Sequence, residues 1–272
     1  MNRTMQDDSE FYIGWQAEAP PGFARRVRQF LLALCLLVPA VAALIVLFQS
    51  GFAGSTFEYG KKTELSGRYS RHPFPFLTVE NGTDAAGKPI TQKILLVAPG
   101  KFGFTTGPEM SVEDGSMVTA SGFLIYHDGK TALEVRSINK KQNHTAAEAD
   151  PRSSGPGSGT VTLRGEITDP KCLLGVMKPG FGKPHRDCAA RCIAGGIPPV
   201  LKVANAQGDT EYYLLAGPGG EMLNDRILEF VGDGVQLCGR IGRESDWLVL
   251  YTDPSTIQRI HRESLNPGNT CN

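Results

Sequence analysis

The sequence predicts a mainly β protein, with an N-terminal transmembrane helix followed by two small β-barrel domains. Three observations lead there. Residues 30–48, FLLALCLLVPAVAALIVLF, carry no charge. The chain has 32 Gly and 18 Pro with β-branched runs between them, a pattern of many short strands and turns. A weak internal repeat divides the remainder into two units of similar size.

The apolar run is long enough to cross a bilayer, because nineteen helical residues span about 28 Å. Pro39 lies mid-span, where a membrane helix tolerates it. Arg25, Arg26 and Arg28 precede the run, and the following flank, QSGFAGSTFEYG, has no base before Lys61. The positive-inside rule then predicts a cytoplasmic tail over 1–29 and an inner (plasma) membrane span over 30–48. The later domains are expected on the periplasmic, extracytoplasmic side. A cleaved signal peptide is the competing reading, but its charged region is usually short and here a long segment precedes the run. Phe11, Tyr12 and Trp15 suit the headgroup level.

The repeat pairs LSG at 65–67 with LRG at 163–165, and ILLVAPG at 94–100 with YYLLAGPG at 212–219. It also pairs MVTASGFLIYHDGKTALEV at 117–135 with VQLCGRIGRESDWLVLYTD at 235–253, so that Gly122 matches Gly239. Each unit closes with two strands joined by a polar turn, YHDGK or GRESD. Units of this size, with a glycine-marked early strand, suit a five-stranded barrel of the OB type over a generic sandwich. The expected domains are 57–138 and 160–260, with a polar linker at 139–159 and a tail at 261–272.

The units differ in one place. Gly67 to Leu95 is 28 residues, whereas Gly165 to Tyr213 is 48. The surplus falls on 171–199, KCLLGVMKPGFGKPHRDCAARCIAGGIPP, which holds Cys172, His185, Cys188 and Cys192. In a helix, positions 185, 188 and 192 lie on one face. Three soft or borderline ligands then point the same way, with Cys172 approaching from the preceding turn. The insertion is expected to protrude from its barrel and to carry the function, as loops grafted on a scaffold commonly do.

Three chemistries suit these side chains. Cys3His is a tetrahedral ligand set for zinc or another transition metal. An oxidising exterior favours disulfides, with Cys172 bonded to one of its neighbours and Cys238 to Cys271. A reactive thiol beside His185 is the third, with Lys183, Arg186 and Arg191 as nearby cations. Cys35 lies in the span as a small apolar residue.

The residues Gly165, Asp169, Cys172, His185, Cys188, Cys192, Gly195 and Gly196 follow a G-x-V-x-D-x-x-C, His, Cys, Cys, G-G order. Over about 163–242 the chain resembles exported bacterial β-barrel domains of uncharacterised families. The resemblance implies export and a small barrel, and brings no activity. The anchor-plus-barrel layout also looks like the haem chaperone of cytochrome c maturation. That family's haem-attaching motif has no counterpart here beyond His127-Asp128 in a hairpin turn.

Lys and Arg together number 28, as do Asp and Glu, so no net field favours nucleic acid, and no nucleic-acid partner is expected. P-loop, dinucleotide, H-E-x-x-H and nucleophile-elbow motifs are absent, so an enzyme is not expected. The sequence favours a membrane-anchored accessory, assembly or binding protein handling a metal or redox cofactor, with a membrane-bound or periplasmic protein partner. An electron-transfer or thiol-redox protein is the alternative. Phe74 and Phe76 between prolines read as barrel core.

Overall fold

The computed structural model describes residues 19–49, 54–85, 87, 89–105, 112–141, 153–204 and 209–260. The chain divides into two compact units, Met1–Ala53 and Gly54–Asn272. In the first, α1 (Pro21–Gln49) is a single helix with Pro39 inside it. Helical backbone thus begins well before Phe30 and takes in the three arginines. At 1.5 Å per residue α1 is about 44 Å long, more than a bilayer's hydrocarbon core requires. It is the one candidate span among the described residues, and its position fits a membrane anchor or a signal sequence. The tail residues before 19 and after 260 lie outside the described residues.

The second unit contains two closed barrels. The first is built from β1 (Thr56–Phe57), β2 (Thr63–Ser70), β3 (Phe76–Thr83), β4 (Pro89–Val97), β5 (Met117–His127) and β6 (Lys130–Lys140). Antiparallel pairs join β2 to β3, β3 to β4, β5 to β6 and β2 to β5, and a parallel β4–β6 pair closes the ring. The two-residue β1 adds to the edge of β5. The YHDGK turn is a tight hairpin, with Asp128 and Gly129 both at positive φ, as an Asp-Gly loop favours.

The second barrel repeats this order with β7 (Ser153–Ser154), β8 (Thr160–Thr168), α2 (Arg186–Ala194), β9 (Val200–Ala204), β10 (Thr210–Ala216), β11 (Gly234–Glu244), β12 (Trp247–Thr252) and β13 (Gln258–Arg259). The pairs β8–β9, β9–β10, β11–β12 and β8–β11 are antiparallel, and the closing β10–β12 pair is parallel. Both rings therefore have the five-strand OB-like connectivity. Part of the expected linker is engaged in this barrel: β7 pairs with β11, and Gly157 N–H donates to Ile241 O. Residues 142–152 of that segment lie outside the described residues.

Two pairs of glycines explain why the repeat is legible. A Cβ on Gly67 would overlap Thr78 O of the next strand, and one on Gly165 would overlap Lys202 O. A Cβ on Gly122 would overlap Glu134 O, and one on Gly239 would lie 2.6 Å from Tyr251 O. Strongly coiled strands bring neighbouring backbones this close, and only a residue without a side chain fits.

The runs ILLV and YYLLA are continuously apolar because both faces are buried. In β4, Ile94 and Leu96 fill the first barrel while Leu95 and Val97 face outward. In β10, Tyr213 and Leu215 fill the second barrel while Tyr212, Leu214 and Ala216 face outward. The two outward faces meet in a third core, with Phe74, Phe76, Trp247 and Val249. Trp247 donates its indole N–H to Lys93 O at 3.1 Å and tilts against Phe76 at 6.3 Å between centroids. Lys93 forms a buried ion pair with Glu244 of the other barrel. Phe74 and Phe76 are thus core residues, but of the seam between the barrels.

The insertion does not protrude. Cys172, Leu173, Leu174, Cys192 and Ile197 are buried in the same third core. A segment carrying LLG and IAGGI has more apolar surface than one barrel covers, and it gains its cover from the other barrel.

Candidate metal centre

The site begins where β8 ends. Asp169 is fully buried, and its carboxylate is used twice. Oδ1 accepts the Cys172 N–H at 2.8 Å, and Oδ2 meets His185 Nε2 at 3.0 Å. The chain then makes a π turn over Cys172–Val176 and returns through a short 3-10 turn, Lys183–His185, into α2. Gly175 allows that π turn to lie on the first barrel, since a Cβ there would be 2.6 Å from Thr56 O. Along α2, Ala189 and Ile193 face the second barrel's core, while Cys188 and Cys192 face the seam. Gly195 and Gly196 stop the helix, Gly196 at φ 96°.

The four residues singled out from the sequence fall into two overlapping groups that share Cys172. One ligand atom each from Cys172, His185 and Cys188 lie within 4.8 Å of one another, and so do those of Asp169, Cys172 and Cys192. The Cys172 and Cys188 sulfurs are 4.0 Å apart. That is about twice a disulfide bond, and all three cysteines are free thiols. Two sulfurs each about 2.3 Å from one tetrahedral ion stand about 3.8 Å apart, so the observed spacing suits a shared ion.

His185 supplies the most specific observation. Its Nε2 faces the Asp169 carboxylate, an acceptor, so the proton belongs on Nε2 and Nδ1 carries a lone pair. Nδ1 is buried and has no hydrogen-bond partner. A buried polar atom left unpaired costs about 1–3 kcal/mol. Carboxylate, then imidazole, then metal is the usual order around metal-binding histidines, and Asp169 and His185 supply the first two members.

The hydrogen bond between Cys172 and Cys192 pushes Cys172 up and Cys192 down, so the proton stays on Cys172. Burial and the Asp169 charge act in the same direction on Cys172. From the first barrel, Lys101 Nζ donates to Cys188 Sγ at 2.8 Å, and this bond raises the Lys101 pKa. Cys188 is half-buried, whereas Cys172, Cys192 and His185 are buried, so the cluster opens to solvent beside Lys101.

Sequence reasoning missed two residues here and undervalued a third. Lys101 sits in PGKFG, which reads as an ordinary glycine turn. Lys171 looks like a surface base but is buried, with Nζ on Ala98 O, Gly100 O and the Glu134 carboxylate at 2.8, 2.7 and 2.6 Å. Asp169 appears in the resemblance pattern without a role. Lys183, Arg186 and Arg191 are not the cations on the thiols; Lys183 instead pairs with Asp233. Cys238 is disulfide-bonded, and its expected partner Cys271 lies outside the described residues.

No family model and no curated protein matches the chain. Among solved structures, a deletion mutant of the single-stranded DNA-binding protein from Thermus aquaticus matches 80% of this chain and 100% of its own, at 14% identity and a TM-score of 0.23. The expectation of no nucleic-acid partner does not stand beside that match. A net charge of zero describes the whole chain and leaves the charge of any one barrel face open. A superposition this poor carries no argument that the chain binds DNA.

Proposed function

We propose that the protein is a membrane-anchored accessory factor whose working part is one transition-metal ion, zinc by preference, held by Cys172, His185, Cys188 and Cys192. The observation that carries this reading is the unpartnered, buried Nδ1 of His185 in a group with the free thiols of Cys172 and Cys188, with the free thiol of Cys192 grouped with Cys172 on its other side. Asp169 orients the imidazole and fixes the Cys172 backbone, the part that outer ligands play around structural and transfer sites. The partner in this reading is another membrane-bound or extracytoplasmic protein that receives or senses the ion. Arg25, Arg26 and Arg28 favour a cytoplasmic N-terminus, and the bonded Cys238 favours an oxidising compartment for residues 54–272.

Metal analysis of the full chain, purified without chelator, tests the site. About one ion per chain is expected, and Cys188→Ser lowers both its content and local order. A thiol-redox reading is favoured by the 4.0 Å approach of the free Cys172 and Cys188 sulfurs. It predicts instead that Cys188→Ser changes the number of thiols available to mass tagging and leaves metal content unaltered. A reporter fused after Asn272 tests orientation, since activity there of a cytoplasm-only reporter contradicts it.

A further inference from the structure

We infer that Lys101 of the first barrel is a positioning residue for the second barrel's metal centre, supplying the charge that suits it to a divalent ion. This rests on the metal reading above. Three thiolates and a neutral imidazole around a divalent cation carry one net negative charge. The Asp169 carboxylate adds to that excess, because its partners, the imidazole N–H and the Cys172 amide, are neutral donors. Lys171 is spent on Glu134 and two carbonyls. Lys101 is the cation seated on a ligand sulfur.

The fold goes to some length to hold it there. A Cβ on Gly195 would overlap Lys101 O, and one on Gly103 would overlap Gly196 O, so the two glycine turns interlock backbone to backbone. Gly103 N–H donates to Gly195 O at 2.9 Å, tying the Lys101 loop to the end of α2. Lys171 grips the same loop from the other side through Ala98 O and Gly100 O. Three separate devices fix a loop whose central side chain is exposed except where it meets Cys188. The second barrel's site is therefore incomplete without the first.

The ammonium charge offsets the centre's excess charge, which favours holding the divalent ion, while its hydrogen bond draws electron density from the Cys188 thiolate, which sets the energy of the sulfur-to-metal charge transfer. Removing it disfavours a divalent ion, whereas Arg in its place preserves both charge and donor. Competition titration of the full chain with Zn²⁺ measures this. Lys101→Met is expected to weaken zinc binding about 10- to 100-fold, the usual cost of losing an outer partner, and Lys101→Arg to stay within a few-fold of wild type. With Co²⁺ as the probe, Lys101→Met moves the sulfur-to-metal charge-transfer band to lower energy, which a purely structural role would not do. Lys101 is exposed, so its metal-free thermal midpoint is expected unchanged. Gly195→Ala, whose methyl meets the Lys101 carbonyl and pushes the loop away while leaving the ammonium side chain intact, is expected to reproduce the loss. Wild-type zinc affinity in Lys101→Met with an unmoved cobalt band overturns the proposal alone. A wild-type chain that binds no zinc overturns the metal reading and this proposal together.

Discussion

In the first barrel residues 71–75 join β2 to β3; in the second, residues 169–199 make the same connection between β8 and β9. The strand order, the closing parallel pair and the paired glycines are otherwise shared. The short connection turns the chain and gives Phe74 to the seam. The long one carries three thiols, a buried imidazole and a buried carboxylate, and it is clamped by the other barrel. The difference teaches that the unelaborated barrel is a component of the site: it covers the insertion's apolar side and sends Lys101 to its sulfur.

That comparison breaks most visibly at Trp247, which sits in the seam and not in either barrel's own core. Trp247→Ala is expected to cost about 3–5 kcal/mol and to split one denaturant transition into two. Two transitions already present in the wild type would show that the barrels are not coupled.

Glu134 tests the clamp. Glu134→Ala leaves the buried Lys171 ammonium with carbonyls only, and a loss of about 3 kcal/mol is expected in the denaturation midpoint. A loss under about 1 kcal/mol, the scale of exposed pairs, would mean that the insertion is held by its apolar contacts alone.

The equivalence of the barrels is sharpened by Gly67→Ala and Gly165→Ala. Each new methyl meets the backbone of the next strand, so both are expected to destabilise by about 1–3 kcal/mol, and to similar extents. A large cost at one glycine and none at the other would contradict a shared architecture.

The smallest effect is expected at His127, the histidine in the first barrel's hairpin. His127→Ala should shift stability by about 0.5 kcal/mol or less and leave metal content intact, whereas His185→Ala is expected to lower metal content.

Much of this was legible locally. The glycines at 67, 122, 165 and 239 mark both barrels because backbone crowding leaves no alternative residue. The spacing of His185, Cys188 and Cys192 exposes the cluster because a helical period is a local property. What escaped reading depends on contacts far apart in the chain. Nothing in PGKFG says that Lys101 meets a cysteine 87 residues later. Nothing in DPKC distinguishes a buried Lys171 from a solvated one, because its partners belong to the other barrel. The protruding insertion was a wrong expectation for the same reason: a loop's apolar residues do not announce what will cover them. The ILLV and YYLLA runs did carry a clue, since strands that lack polar alternation need cover on both faces.

X-ray absorption at the zinc edge of the full-length chain, loaded with one equivalent of Zn²⁺, tests the central claim most directly. The account predicts three sulfurs at about 2.3 Å and one nitrogen at about 2.0–2.1 Å. A shell of oxygen and nitrogen alone, or a chain that retains no zinc while Cys172, Cys188 and Cys192 remain reduced, would contradict it.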